Sequence, residues 1–466
     1  MLPNKRIFPF ATAFCAGFIC LLVLGFVSPG FPRERGPRVE VVCPSPPIPV
    51  TLDKRQVLVY ELHVTNFDSA PLTLKRFEVF ANEESSGALS TLADATLSAA
   101  MTRVGEAMMI SGGAAKNARV IEPGGRSIIF VWIELQPDRA VPTTLKHRMV
   151  FTAPADSAKD ATLEDFQVSL SQDSVPTLAP PFNGGTWLAG NGPANNSDHR
   201  RTIMAIDGHI YSPERFAIDW VKVGPNGDSR HDGATRNENW WGWGEPVLAV
   251  ADGEITEVVD GIPDNTPRVL PPVTLDNIAG NHVILQIASN RFVTYAHLQN
   301  GSIRVRPHDR VHRGDVIALL GNSGNTTGAH LHLQVTDRNS VLQSQGVPFV
   351  FASFTYLGPG SEYELDKHGS VPWVNSIPAG DGVIQFEPLK KSWTSPAGYG
   401  KPRPCYLSGR SLYSFKGFYR SAGSVWVRTD LSPRWSFVGF PLYPRLTPWA
   451  AFLRGFAASE WSGVNM

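Results

Sequence analysis

The sequence predicts a mainly β protein, and three observations predict it. Gly at 42 and Pro at 38 of 466 residues punctuate the chain densely. Long helical periodicity is scarce, and period-2 alternation recurs between turn-rich breaks. The length suits roughly three domains, and 42% hydrophobic residues suffice for real cores. Lys plus Arg equals Asp plus Glu at 42 each, so nothing points to nucleic acid or another polyanion as a partner. No feature of the sequence fixes an oligomeric state.

Residues 1–38 read as a signal or anchor segment. Lys5 and Arg6 precede an uncharged run from Ile7 to Pro32. As a helix, Phe10 to Val27 would span about 27 Å, close to a bilayer core. No small-x-small cleavage site stands out, and neither Cys15 nor Cys20 follows a lipobox, so an uncleaved membrane anchor is favoured. Arg33, Arg35 and Arg38 follow the run, so charge alone does not set its orientation. Cys43 and Cys405 are the remaining cysteines and the one candidate bridge.

Residues 39–170 read as a β-sandwich-like domain. Leu58, Tyr60, Leu62 and Val64 alternate with Val59, Glu61, His63 and Thr65, the pattern of a half-buried strand. Further strands are expected at Leu72–Phe80, Ser127–Leu135 and Lys146–Thr152, and Ser85–Ala115 is expected to be partly helical. His63 and His147 are read as ordinary strand residues. Pro, Gly, Asn and Ser dominate residues 171–198, which read as a linker. Residues 199–358 read as a string of hairpins, among them Val247–Val259 turning at Asp252-Gly253, and Asn281–Ile287 with Arg291–Leu298 across Ser289-Asn290. Residues 359–466 form a C-terminal region whose later part loses its acidic residues and its periodicity; weak order is expected there.

The chemistry concentrates in residues 199–358. In Arg215–Trp220, alternation sets Asp219 opposite Phe216, Ile218 and Trp220, where it can serve as a ligand or ion-pair partner. His297 falls near the end of the strand in TYAHL. In GNSGNTTGAHLHLQV, alternation sends Leu331, Leu333 and Val335 to one face and His330, His332 and Gln334 to the other. Two imidazoles side by side on a strand, after a Gly-, Asn- and Thr-rich loop, suit metal or proton chemistry better than packing.

The order AIDW, EPVLAVADGEI, AGNHVIL, TYAHL, VHRGDVIALLGNSGNTTGAHLHLQV resembles the catalytic domain of lysostaphin/LytM-type zinc metallopeptidases, over roughly Arg215–Asp337, about a quarter of the chain. The resemblance implies an antiparallel β-sheet peptidase domain of the LytM, or duplicated-hybrid-motif, type. It implies Zn2+ held by Asp219 and His332, with His297 and His330 catalytic, and peptidoglycan peptides as substrate. It also implies a bacterial envelope protein with its body outside the cytoplasm, membrane-anchored by the N-terminal helix or secreted.

One departure matters. The family's first zinc-binding His, four residues before Asp219, is Arg215 here, and a guanidinium has no lone pair to give a cation. It is also placed to pair with Asp219 and compete for that ligand. Of His199, His209, His231 and His282, His199 is the favoured third metal ligand, because the flexible loop Gly190–Asp198 can bring it over the site; His231 has similar reach. The alternative is a catalytically degenerate, metal-free module that binds cell wall or regulates another wall hydrolase. Trp240, Trp241 and Trp243 read equally as a groove wall or as local core.

Overall fold

A computed structural model describes residues 36–388, apart from 53, 83–86, 106–116, 138, 153–159, 226, 361–369 and 379. The expected N-terminal anchor, the tail beyond 388 and Cys405 lie outside the described residues. Among the described residues, no helix is long and apolar enough to cross a membrane. The architecture is mainly β, as expected.

Two five-stranded sheets pack face to face in residues 39–170. The strand Arg55–Asn66 sends Leu58, Tyr60, Leu62 and Val64 inward. They meet Ile129, Val131 and Ile133 of the adjacent strand Arg126–Glu134 and, across the core, Phe77, Val79, Leu145, Met149 and Phe151 of the facing sheet. Of the partly helical stretch expected at Ser85–Ala115, Asp94–Ala99 is one helical turn and a half, and residues 106–116 lie outside the described set.

The half-buried reading of Arg55–Asn66 is corrected. Its second face is covered too: Val57 and Val59 join the apolar cluster of the following region, and Glu61 and His63 are 1% and 4% exposed. Sequence alternation gives the two faces of a strand; it does not reveal that Arg200, Arg215 and an apolar cluster from later in the chain cover the second one.

His147 is an ordinary strand residue by sequence, but it sits in the sandwich core. Its Nδ1–H donates to the Phe166 carbonyl at 2.9 Å, leaving Nε2 to accept from the Tyr60 hydroxyl at 2.7 Å. Burial pulls its pKa from 6.5 down to about 4. The folded state therefore excludes a proton that the unfolded chain accepts. Its contribution is fully present above pH 6.5 and is lost as pH falls through about 4, amounting to about 3 kcal/mol. His147→Gln, which keeps both hydrogen bonds but does not titrate, is expected to flatten the fall in urea midpoint between pH 6.5 and 4. Equal slopes in the two proteins would refute this.

The third large element is an eleven-stranded sheet. Its central order runs Gly185–Gly190, Ile218–Lys222, Leu331–Thr336, Arg291–Leu298, Asn281–Ala288, Gly253–Val259. The hairpin at Ser289-Asn290 forms as expected. The expected Val247–Val259 hairpin does not. Pro246–Leu248 pairs with Val316–Leu319, and Gly253–Val259 pairs with Asn281–Ala288 and Arg310–Val311. Asp252-Gly253 carries the chain from one sheet to another rather than back along itself.

Two stretches read as irregular contribute strands to this sheet. Within 171–198, Gly185–Gly190 lies between Ile218–Lys222 and Gly382–Phe386, with Trp187 and Ala189 fully buried and Trp187 stacked on Phe182 at 3.5 Å. Within 359–466, Val371–Ser376 and Gly382–Phe386 both pair with Val350–Pro359. Flanking Gly and Pro masked these five- and six-residue strands, whose pairing partners are distant in sequence.

Candidate metal centre

The site forms where three adjacent strands turn polar residues to one face. Asp219 stands opposite His332, and His332 opposite Ala296, whose neighbour is His297. His297 has φ 61°, uncommon for a residue with a side chain. Its backbone N–H leaves the ladder and donates to Ala279 at 2.9 Å. Its ring centroid lies 4.8 Å from that of His330 and 5.9 Å from that of His332. His199 arrives from the helical turn Asp198–Arg201, capped by the Ser197 hydroxyl. Its ring meets that of His332 edge-on at 4.8 Å.

Each imidazole has one nitrogen fixed by an acceptor, and this decides the tautomer. His199 Nδ1–H donates to Ala217 O at 3.3 Å, His297 Nδ1–H to Ser323 O at 2.8 Å, and His330 Nδ1–H to Gly328 O at 2.9 Å. His332 is the reverse. Gln334 donates its amide to Val341 O, so its oxygen faces His332 Nε2 at 2.9 Å and fixes a proton there. His332 Nδ1 then faces Asp219 Oδ1 at 3.0 Å. His199 Nε2 lies 3.3 Å from Asp219 Oδ2, and His330 Nε2 lies 3.4 Å from Oδ1. Asn191 donates to Oδ2 at 3.0 Å.

The electrostatics divide the histidines. Burial alone would lower the pKa of His199, but the Asp219 carboxylate outweighs it and lifts the value to about 9. The same opposition raises His330. Burial, with His330 and His332 alongside, holds His297 well below the ordinary imidazole range. Asp219, whose burial is outweighed by His199 and His330, stays well below the usual carboxylate range.

His199, Asp219 and His332 each present a ligand atom, all within 4.8 Å of one another. This buried His-His-Asp cluster is capable of coordinating a metal ion. Two imidazole nitrogens and one carboxylate oxygen fit zinc with an open fourth position, and the outer nitrogens already carry the hydrogen bonds that orient such ligands. A cleft of about 90 Å³ opens on the cluster, with Met204, Leu270, Ile278 and Leu342 among its walls and Glu214 and Asn325 at its polar edges.

Four predicted residues, Asp219, His297, His330 and His332, therefore meet at one point, and His199 joins them. Arg215 does not pair with Asp219 as expected. Its Nε and Nη2 donate to the Glu61 carboxylate at 2.7–3.1 Å, and Nη1 donates to Gly346 O at 2.6 Å. The other imidazoles stay away. His282 bonds Gly280 O and Glu257, His231 packs on Trp241, and His209 lies by Tyr211. Trp240 is buried where it blocks any side chain at Gly328, so it covers the loop before the histidine pair rather than lining the cleft. Sequence reading missed Asn191 and Glu61, and left Gln334 without a role. Gln334 alone had a signal, since alternation put it on the face of His330 and His332.

Residues 241–344 match the model of Peptidase family M23. Among characterised proteins, the chain is 40% identical over 67 residues to Endolysin 2638A of Staphylococcus phage 2638A, covering 14% of each chain. It is 35% identical over 75 residues to Peptidoglycan DD-endopeptidase ShyA of Vibrio cholerae, covering 16% of this chain and 17% of ShyA. The chain thus spans less than a fifth of either relative's length. Among solved structures, the catalytic domain of the prophage-encoded M23 protein EnpA from Enterococcus faecalis is 20% identical, with 37% of this chain and 93% of that one covered and a TM-score of 0.22. The lysostaphin catalytic domain from Staphylococcus simulans is 19% identical, with 35% and 88% covered and a TM-score of 0.19. Scores so low carry no argument about arrangement. The motif-bearing stretch 241–344, together with a His-His-Asp cluster, gives this chain family-level similarity to the M23 peptidases.

Proposed function

We propose that the chain is a zinc-dependent endopeptidase hydrolysing peptide bonds of bacterial peptidoglycan in the cell envelope, membrane-anchored or secreted with its body outside the cytoplasm. The observation that carries the reading is His199: it meets Asp219 and His332 where Arg215 leaves the family's ligand position without a donor. Family-level similarity to M23 peptidases, and the printed names of an endolysin and a peptidoglycan endopeptidase among its relatives, support the substrate class. The lysostaphin/LytM type, read from the motif order, is the finer assignment we adopt.

Zn2+, when bound by His199, Asp219 and His332, supplies a Lewis acid that lowers the pKa of water toward about 7. The remaining histidines divide the proton work. His297 is held neutral, its Nδ1–H is committed to Ser323, and so its Nε2 offers a lone pair as proton acceptor. His330 has its Nδ1–H committed to Gly328 O and its Nε2 turned to the cluster 3.4 Å from Asp219 Oδ1, so Nε2 is the atom that would carry a proton on to the leaving nitrogen.

Full-length protein carrying His297→Ala is expected to keep its zinc and lose lysis of purified cell walls by about 100-fold or more. Asp219→Ala and His332→Ala are expected to lose both. Absence of zinc and of lysis in the unmodified protein would sink the proposal. The metal-free reading draws its motive from Arg215, which supplies no ligand; its pairing with Glu61 leaves Asp219 free of competition from it, and a zinc-free, lysis-negative protein would favour that reading.

A further inference from the structure

The His199 turn is four residues long, too short to hold itself in water. Its local ties are short-range: Ser197 Oγ accepts from Arg200 N at 3.2 Å, Arg201 N donates to Ser197 O, Thr202 N donates to His199 O, Thr202 Oγ1 donates to Asp198 O at 3.0 Å, and Arg201 Nε donates to Asn195 O at 2.6 Å. What fixes it is the sandwich. Arg200, the residue after His199, is fully buried, and its guanidinium bonds the Glu61 carboxylate and the Tyr60 carbonyl at 2.9 Å. It also lies over the Phe130 ring at 4.9 Å, and Arg201 lies over the same ring at 4.2 Å. Glu61 and Tyr60 belong to the strand Arg55–Asn66, and Phe130 to Arg126–Glu134. Every one of these partners is a sandwich residue, more than sixty positions away in sequence.

We propose that Glu61 is a positioning residue of the metal centre: by clamping Arg200 it holds His199 at Asp219, so that the sandwich is a working part of the site rather than a separable module. The inference rests on the zinc reading above. A carboxylate that served only to neutralise Arg215 would need no second guanidinium. Here Oε1 takes Arg200 and also shares Arg215 Nε, while Oε2 takes the fork of Arg215. Arg215 keeps Gly346 O and Gln345 Oε1 without Glu61, whereas Arg200 keeps only backbone carbonyls and the Phe130 ring. Loss of the carboxylate takes one bond from Arg200 and three from Arg215, so it loosens the His199 turn and also the segment that leads from Arg215 to Asp219.

The test is a double-mutant cycle on the full chain, with zinc dissociation constants from chelator competition and amide exchange of residues 198–202 in the metal-free proteins. Glu61→Gln is expected to weaken zinc binding about 10- to 100-fold, the range for residues that orient a ligand, and to speed exchange at Arg200, Arg201 and Thr202. In a His199→Ala background the weakening should be markedly smaller, because the route through Arg200 is gone and only the one through Arg215 toward Asp219 remains. If Glu61→Gln fails to fold, Arg200→Lys, which keeps the charge but cannot fork between Glu61 and Tyr60 O, takes its place with the same expectations. Wild-type zinc affinity and exchange in the folded variant would overturn the proposal, as would a weakening that multiplies undiminished onto His199→Ala. Should the unmodified chain take up no zinc, the metal reading fails first, and unchanged exchange at 198–202 would separately refute the clamp.

Discussion

His199→Ala is expected to reduce zinc affinity by more than about 100-fold, beyond what loss of an outer partner costs, and to abolish cell-wall lysis with it. The fold should survive, because the turn is held by Arg200 and Arg201 rather than by the imidazole. The unmodified protein should also bind zinc more tightly as pH rises. The sign follows from Asp219: it lifts the metal-free His199 to about 9, so below that pH a proton occupies the nitrogen that the metal needs. Affinity should climb by up to about tenfold per pH unit below 9 and level off above. Titration calorimetry of both proteins across this range checks both statements; a pH-independent affinity, or zinc binding indifferent to His199→Ala, would count against the site as drawn.

The second large effect concerns Arg215. Restoring the family's ligand by Arg215→His is expected to bring no gain in zinc affinity and to destabilise the protein by about 3–5 kcal/mol, the usual cost of breaking a buried ion pair from one side. Glu61 is 1% exposed, and its pKa falls to about 2 because Arg215 and Arg200 outweigh the burial that would raise it. With Arg215 gone, the carboxylate keeps one guanidinium where it had two. Urea unfolding measures the loss. A substantial rise in zinc affinity with unchanged stability would mean that the native site is crippled and that Glu61 does not depend on Arg215.

These two expectations mark where sequence reading stopped. Asp219, His297 and His332 were legible because they sit on strands, and His330 because it immediately precedes one, where alternation and motif order are local; the register Asp219 opposite His332 then followed from folding the sheet. His199 was reached by elimination, from a loop able to travel. Glu61 was not legible at all. On its strand it looks like one polar residue in an alternating row, and nothing nearby says that two arginines 139 and 154 residues later will bury it. The same limit hid Gly185–Gly190 and Gly382–Phe386, short strands bracketed by Gly and Pro whose only support is pairing with each other and with strands distant in sequence.

The central claim is that His199 completes the metal site in place of the position held by Arg215. X-ray absorption at the zinc edge of the loaded full-length protein tests it most directly. The account predicts a first shell containing two imidazoles and a carboxylate oxygen, falling to one imidazole in His199→Ala. A shell with a single imidazole in the unmodified protein, or one unchanged by His199→Ala, would contradict it.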